Sequence, residues 1–581
     1  MVRLARPSKL LPPLYVVLYI NPFFSFFFFL SLGISGTKSI APSDSQSTST
    51  GSMSSLSLSK RWIDNCLQTH AKSCRSVYVD GSTKELRLPG RLIDVGSVSG
   101  GNARLVDTWA IPKTGGSSAD VRYLTLSHRW GVGKPLSLVA ANQDELGQEI
   151  NPHHLSRTFR DAIHVTRQIG LRYLWIDSLC ILQDSKEDWE RESAIMGEIY
   201  SNSQCNIVAM APEDGLFFDR SPYLIRSTPV SVQWMGEPAK DFVLIMKSCI
   251  RLDNAAQVPI FRRGWILQEQ LLSPRALLFT KEQVFWECCH LEASEAHPHG
   301  MPPSDRRRLG YYREQDGFGL SRLGLKRFIS TGRSADMGNR SNLSRKLGEI
   351  RSRSYQKGMG DRDERWYIWR EIVEDFTGRD LTVKSDRLVA LSGIASALST
   401  RFGSAAQYIY GLWIWRSSDL VLAELMWHVY SGRARRPLGR APTWSWGSVD
   451  GKIRYFREEG VMDLDKLASF TRVHGVDKEE GPRFTGETGA IVLNAPVVPF
   501  DWAVSTFYQD TSDALGDSAA LRLLGLLSSY LGAPRVFGLV VKEVPGGAYK
   551  RVGIFEWEDE PCRSEIWNKF QYCSRVTVQV E

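Results

Sequence analysis

A chain of 581 residues is longer than one hydrophobic core normally organises, so two domains are the first expectation. Its 43% hydrophobic and 23% charged residues are ordinary for a globular protein, which sets aside a disordered or fibrous chain. The formal charge of +8 is modest, and nine cysteines are too few, and odd in number, for a disulfide scaffold.

In chain order, Arg3, Arg6 and Lys9 precede an apolar run over 10–32 that includes Phe26 to Phe29. Its length is compatible with a membrane span, but Pro12, Pro13, Asn21 and Pro22 interrupt it. Gly33 to Gly36 offers only a poor cleavage site. Three readings stay open: a signal sequence, a signal anchor, or an upstream extension outside the folded protein. A membrane enters as a partner only if the run is a true anchor. A Ser/Thr-rich linker over 43–59 and the internal Met53 fit the third reading.

Residues 62–74 have helical character, with Trp62, Cys66, His70 and Cys74 four apart along one face. Three in-line side chains do not form a tetrahedral cage, so core packing ranks ahead of a metal there. The stretch 122–126 alternates like a strand and leads into Ser127-His128-Arg129-Trp130-Gly131. Phe159, Ala162, Ile163, Thr166 and Ile169 recur at helical spacing before Gly170. Tyr173-Leu174-Trp175-Ile176 reads as a strand buried on both faces, ending at Asp177-Ser178-Leu179-Cys180.

Asp184 with Glu187 predicts a capping box for a helix carrying Trp189, Met196 and Tyr200, and a buried strand follows at 205–210. Strand, helix, strand, helix, strand with short links predicts a parallel α/β sheet. Short alternating strands over 230–250, a helix from Arg263 and two strands at 276–280 and 284–288 complete the first region. Residues 297–360 read as an irregular insertion, rich in Gly and Arg. A second region begins near Asp363, with helices around 369–376 and 386–398.

Cys180, Cys205 and Cys249 lie in apolar runs where a free buried thiol is the default, which points to a reducing compartment and a cytoplasmic location. The basic stretches Arg306-Arg307-Arg308 and 340–353 carry no aromatic interleaving, so they read as solvated loops and nucleic acid is not an expected partner. Asn339-Arg340-Ser341 and Asn342-Leu343-Ser344 are glycosylation sequons of a kind common by chance.

The run Tyr123-Leu124-Thr125-Leu126-Ser127-His128-Arg129-Trp130-Gly131 resembles the opening motif of the fungal heterokaryon incompatibility (HET) domain. Thr158-Phe159-Arg160-Asp161-Ala162-Ile163 and the stretch from Tyr173 to Asp184 match the family's next blocks in order and spacing. So do Asp188-Trp189, Met196 and Ile199-Tyr200. Arg263-Gly264-Trp265 through Gln268-Glu269, Leu272-Ser273-Pro274-Arg275, Asp386 to Ala395, Gly411-Leu412-Trp413 and Ala441 to Gly447 resemble later blocks. The resemblance extends over about 60–455 in several separate blocks. Arg129 departs from the cysteine or small apolar residue common there, so no role is carried over to it.

The resemblance implies a factor in fungal self/non-self recognition linked to programmed cell death. A protein partner or incompatible allele product, and self-association, are implied with it. Together with the composition, which sets off the N-terminal run and the basic insertion as outside the family's core pattern, it gives the division 1–59 (hydrophobic segment and linker), 60–120 (lead-in), 121–300 (HET domain), 301–362 (basic insertion) and 363–581 (mixed α/β C-terminal region). The expected fold is α/β with a parallel sheet, likened at fold level to Toll/interleukin-receptor (TIR) domains. Since some TIR domains cleave NAD, NAD-glycohydrolase activity is the alternative function, with NAD as substrate and no bound cofactor expected.

A Ser127–His128 hydrolase dyad is excluded by strand alternation, since adjacent side chains point to opposite faces, and no Gly-x-Ser-x-Gly elbow surrounds the serine. Gly131-Val132-Gly133-Lys134 fails as a phosphate loop, with His128 at the first glycine position and Pro135 after the lysine. Cys288-Cys289-His290 with His297 and His299 reads as structural, since adjacent strand cysteines diverge, and no metal is expected. If the two central strands are neighbours, Ser127, His128 and Trp130 converge with Asp177, Ser178 and Cys180 beyond their carboxyl ends. The candidate catalytic residues are His128, Asp177 and Glu192, with Glu198 on the same helical stretch. Ser127, Trp130 and Ser178 are the candidate ligand-binding residues.

Overall fold

The computed structural model describes residues 15–16, 30–31, 47–77, 87–97, 100–112, 121–129, 136–211, 213–222, 225, 228–232, 240–244 and 258–301. It further describes 322–331, 362–415, 418–430, 434–437, 439–456, 465–474, 489–500, 506–511, 520–529, 535–558, 569–570 and 572–581. The chain divides into two compact units, residues 1–262 with 266–344, and residues 263–265 with 345–581. Of the apolar run over 10–32, the described part is two short strands, Tyr15–Val16 and Leu30–Ser31, paired antiparallel. Among the described residues, no helix is long and apolar enough to cross a membrane.

The first unit is built on an eight-stranded mixed sheet. Its strands are β1 (Arg91–Asp94), β2 (Arg104–Asp107), β3 (Tyr123–Ser127), β4 (Tyr173–Trp175), β5 (Cys205–Ala209), β6 (Arg275–Phe279), β7 (Val284–Cys288) and β8 (Glu292–Ser294). They lie in the order β8-β7-β6-β5-β3-β4-β1-β2. The four central strands β6, β5, β3 and β4 run parallel, whereas β1 pairs antiparallel with β4 and β7 antiparallel with β6. The sheet expected to be parallel is thus parallel only at its centre. On one flank the short β6–β7 hairpin replaces a helical crossover, and on the other the β1–β2 hairpin docks against β4 from far earlier in the chain.

The centre is apolar on every residue of β5 except Asn206, and β3, β5, β6 and β7 are buried throughout. That is the burial expected of strands covered on both faces. Helix α1 (Met53–Thr69) is capped by Ser52, whose hydroxyl accepts from the Ser55 amide. The segment read as linker therefore already belongs to the folded unit. Thr50 donates its hydroxyl to Leu216 O, and Arg220 donates to Ser47 Oγ and Ser55 Oγ while pairing with Glu295. Helix α2 (Arg157–Ile169) is capped by Ser156 and ends at Gly170 with φ 88°, a left-handed conformation that glycine supplies without Cβ strain.

The helix predicted after Asp184 is two helices, α3 (Lys186–Ala194) and α4 (Met196–Asn202), broken at Ile195. Its cap is Ser185, accepting from Asp188 N, rather than Asp184. Asp184 instead accepts the Ala140 amide. Helix α5 (Gly264–Leu272) precedes β6, and α6 (Arg322–Thr331) lies within the stretch read as irregular insertion.

In the second unit, α7 (Arg362–Thr377) and α8 (Val389–Phe402) precede the hairpin Ala406–Ile409 with Leu412–Trp415. Trp369, Trp413, Trp444 and Trp446 are fully buried there. The indoles of Trp369 and Trp446 both donate to Gly411 O, at 3.0 and 2.7 Å.

The C-terminal stretch is β-rich. Five of its strands are β9 (Ala490–Pro499), β10 (Leu521–Ser529), β11 (Arg535–Glu543), β12 (Tyr549–Glu558) and β13 (Arg575–Val580). Each pairs with the next, and β13 and β10 both pair with β9, so the pairing closes into a ring. The join of β12 to β13 is the single parallel pair Tyr549↔Val580. A five-membered ring of otherwise antiparallel strands requires one parallel join.

Candidate functional site

Strands β3 and β4 are parallel neighbours, with Thr125 opposite Trp175. Each chain segment leaves its strand at the same end of the sheet, which brings His128 and Asp177 together. His128 Nδ1 lies 3.8 Å from Asp177 Oδ1. His128 is 4% exposed, and its ring meets Phe159 of α2 edge-on at 4.9 Å between centroids. Asp177 opens a short helix, Asp177–Cys180, and its carboxylate accepts the Ser178 amide at 2.7 Å.

Ser127 belongs to a second polar group. Its hydroxyl donates to Glu269 Oε2 and accepts from Asn206 Nδ2 at 2.8 Å. Asn206 in turn accepts from Thr125 Oγ1 at 3.1 Å. The Tyr200 hydroxyl joins the group: burial, then the nearby Glu269 and Asp177 carboxylates, push it well above the ordinary phenol range. Ser127, Asn206 and Glu269 are all at or below 3% exposure, so each polar atom needs an internal partner. The serine and the histidine thus go to different partners, as strand alternation requires.

The other candidate residues are placed differently. Glu192 of α3 accepts the Gly90 amide at 3.1 Å, and Arg191 Nε lies 3.7 Å from it. Burial raises its carboxyl above the usual range, against the pull of the Gly90 N–H. Next to it Asp188 receives two bonds from Arg91, at 2.9 and 3.1 Å, and the Leu182 amide. Glu192 is therefore part of the α3 anchorage to the strand-β1 segment. Glu198, on α4, pairs with Arg87 at 3.6 Å. Ser178 Oγ is buried and has no hydrogen-bond partner among the described residues, while Ser178 O accepts the Leu138 amide. Trp130 lies outside the described residues.

Asn206, Tyr200 and Glu269 were missed as site residues. Their one signal in the sequence is polarity in an apolar setting: Asn206 interrupts a buried strand, and Glu269 sits inside Gly264-Trp265-Ile266-Leu267-Gln268-Glu269. Glu269 reaches Ser127 across 142 residues of chain, a juxtaposition that only the strand order creates.

A central parallel sheet with two polar groups at the carboxyl ends of neighbouring strands defines an α/β module with a buried polar focus. Residues 123–269 match the family model of the heterokaryon incompatibility protein (HET), so the chain carries a HET domain. The match opens at the first residue of β3 and closes at Glu269, and so contains the whole of this polar focus. The later resembling blocks, such as Ala441 to Gly447, lie beyond the matched stretch. No curated protein and no solved structure matches the chain, so the likeness to TIR domains gains no support from structural neighbours.

Proposed function

We propose that this protein is a fungal self/non-self recognition factor whose HET domain signals programmed cell death through assembly with a protein partner or with itself. The observation that carries this reading is the family match over 123–269, which spans the parallel strands β3, β4 and β5 and the polar focus. The deep burial of Ser127, His128, Asn206 and Glu269 supports a role in holding one conformation of the module.

A second reading, NAD cleavage, is favoured by one arrangement. His128 and Asp177 face each other beyond the carboxyl ends of parallel strands, where open α/β sheets place ligands. In that case Asp177 orients His128, and a carboxylate stabilises positive charge on the ribose as the nicotinamide leaves.

The deciding experiment is induced expression of the full chain in a fungal host, with viability and the NAD pool followed together. Death with NAD intact, abolished by surface substitutions that block self-association, is the expected outcome. Rapid NAD loss before death, abolished by Asp177→Asn in a folded protein, overturns the assembly reading in favour of the enzyme. Viability unchanged by the expressed protein, with or without its incompatible partner, overturns both.

A further inference from the structure

Four metal-ligating side chains meet at the C-terminal end of α1, three of them close in sequence and the fourth far along the chain. Helix α1 stops at Thr69, and the His70 amide closes its last turn on Cys66 O at 2.9 Å. The chain then turns: the amides of Ser73 and Cys74 both donate to His70 O, at 3.0 and 2.9 Å. Cys74 is thereby swung back toward Cys66 instead of continuing up the helix face. The fourth group is Cys288, the last residue of β7, some two hundred residues later. The donor atoms of Cys66, His70, Cys74 and Cys288 all lie within 4.8 Å of one another. A tetrahedral zinc ion with sulfur ligands at about 2.3 Å needs them about 3.8 Å apart, so a contraction of an ångström or less completes the cage.

We propose that Cys66, His70, Cys74 and Cys288 bind one zinc ion that ties α1 and its turn to strand β7.

The surroundings are those of a thiolate site. Cys288 Sγ accepts the backbone amides of Leu291 and His290, at 3.3 and 3.5 Å, from the tight turn after β7. Arg275 donates Nε to Cys66 Sγ at 3.2 Å and Nη2 to Cys74 O at 2.7 Å. Such outer contacts fix the ligands and spread their charge. Three thiolates, one neutral imidazole and a divalent cation sum to one negative charge, which the buried Arg275 guanidinium balances. His70 turns Nδ1 toward Cys288 Sγ, 3.7 Å away, and its ring stacks on His290 at 4.7 Å between centroids.

A donor set of three sulfurs and one nitrogen selects zinc among the common divalent ions. All four positions come from the protein, so the ion is structural and leaves no open site for water or substrate. Cys66, Cys74 and Cys288 are each at or below 2% exposure, and binding at this place cross-links two segments that would otherwise rely on packing alone.

The test uses the full chain, purified without chelator, and elemental analysis. The expected result is about one zinc per chain, and replacement by Co²⁺ gives the intense visible bands of a tetrahedral thiolate site. Cys288→Ser and Cys74→Ser lose the ion, His70→Cys keeps it, and Cys205→Ser, a buried thiol elsewhere in the sheet, also keeps it. A strong zinc chelator lowers the melting temperature of the wild-type chain and leaves that of Cys288→Ser unchanged. Wild-type protein that takes up neither Zn²⁺ nor Co²⁺ overturns the proposal. So does a disulfide joining two of Cys66, Cys74 and Cys288, found by peptide mass mapping before and after reduction.

Discussion

At Asp188 two large effects oppose each other. Burial raises an aspartate's proton affinity, yet the Arg91 fork and the Leu182 amide outweigh it and hold the carboxyl below its ordinary range. A folded-state value below the unfolded one means that the unfolded chain binds more protons in the window between them. The stabilisation is therefore complete above the ordinary aspartate range and disappears as pH falls through the depressed value. Asp188→Asn is expected to cost about 3 kcal/mol at neutral pH, because it leaves the Arg91 charge, 10% exposed, short of its counter-ion. Denaturant melts from neutral to acid pH check this: the gap between wild type and variant should narrow as pH drops. Glu192 works in the opposite sense. Burial raises its value, so its contribution favours the fold at acid pH and weakens as pH rises through the raised value.

How far the site could be read from the sequence also turns on single residues. The meeting of His128 and Asp177 follows from two buried strands joined by a helical crossover, which lays sequential strands side by side and parallel. The links of Ser127 to Glu269 and of Cys74 to Cys288 were not legible. The first depends on where α5 returns to the sheet. The second depends on a helix ending at Thr69, with no proline or glycine to announce the stop. The four-residue spacing runs on to Cys74, although the helix itself ends at Thr69.

At the scale of elements, the turn joining the hairpin of the second unit is constrained by its glycine. Gly411 has φ 96°, and a Cβ there would lie 2.8 Å from the Trp446 ring. The same residue's carbonyl accepts both buried indoles. Gly411→Ala therefore strains the backbone and displaces Trp446 together, for an expected loss of about 2 kcal/mol or more, measurable by thermal melts followed through tryptophan fluorescence. On strand β12, Arg551 and Asp510 form a pair with no solvent exposure at either side chain, and the guanidinium lies 3.5 Å over the Trp427 ring. Arg551 also donates to Leu425 O at 2.5 Å. Arg551→Met should cost about 3 kcal/mol, since it leaves the buried Asp510 carboxylate to Arg436, 3.3 Å away, and Arg551→Met with Asp510→Leu should recover part of that loss. Equilibrium unfolding of the two variants distinguishes the pair's own worth from the cost of breaking it.

At the scale of the whole molecule, the family-matched stretch and the folding unit are different objects. Residues 123–269 supply three of the eight strands of the first sheet; β1 and β2 precede them, and β6, β7 and β8 follow. Asp188 inside the stretch needs Arg91 outside it, and β5 needs β6 from Asn206 to Ala209. A fragment of 123–269 is expected to be unfolded or aggregated by circular dichroism and size exclusion, whereas 47–344 retains the sheet. The alternation of strands and helices made the α/β centre predictable. The ring of strands over 490–580 was not, because strand closure is set by long-range pairing and carries no local signature.

The strap from Ser47 to Ser52 changes the meaning of the internal Met53. A chain trimmed to that methionine would keep every residue of α1 and yet lose its N-cap hydroxyl, the Thr50 bond to Leu216 O and the Ser47 Oγ, Ser47 O and Thr48 O that Arg220 donates to. The cap alone is worth about 1 kcal/mol. Cleavage or re-initiation at this point would thus act as a dial on the stability of the HET-bearing unit. Two forms of the protein, with and without the residues before Met53, would share every residue of the polar focus and differ in abundance and lifetime.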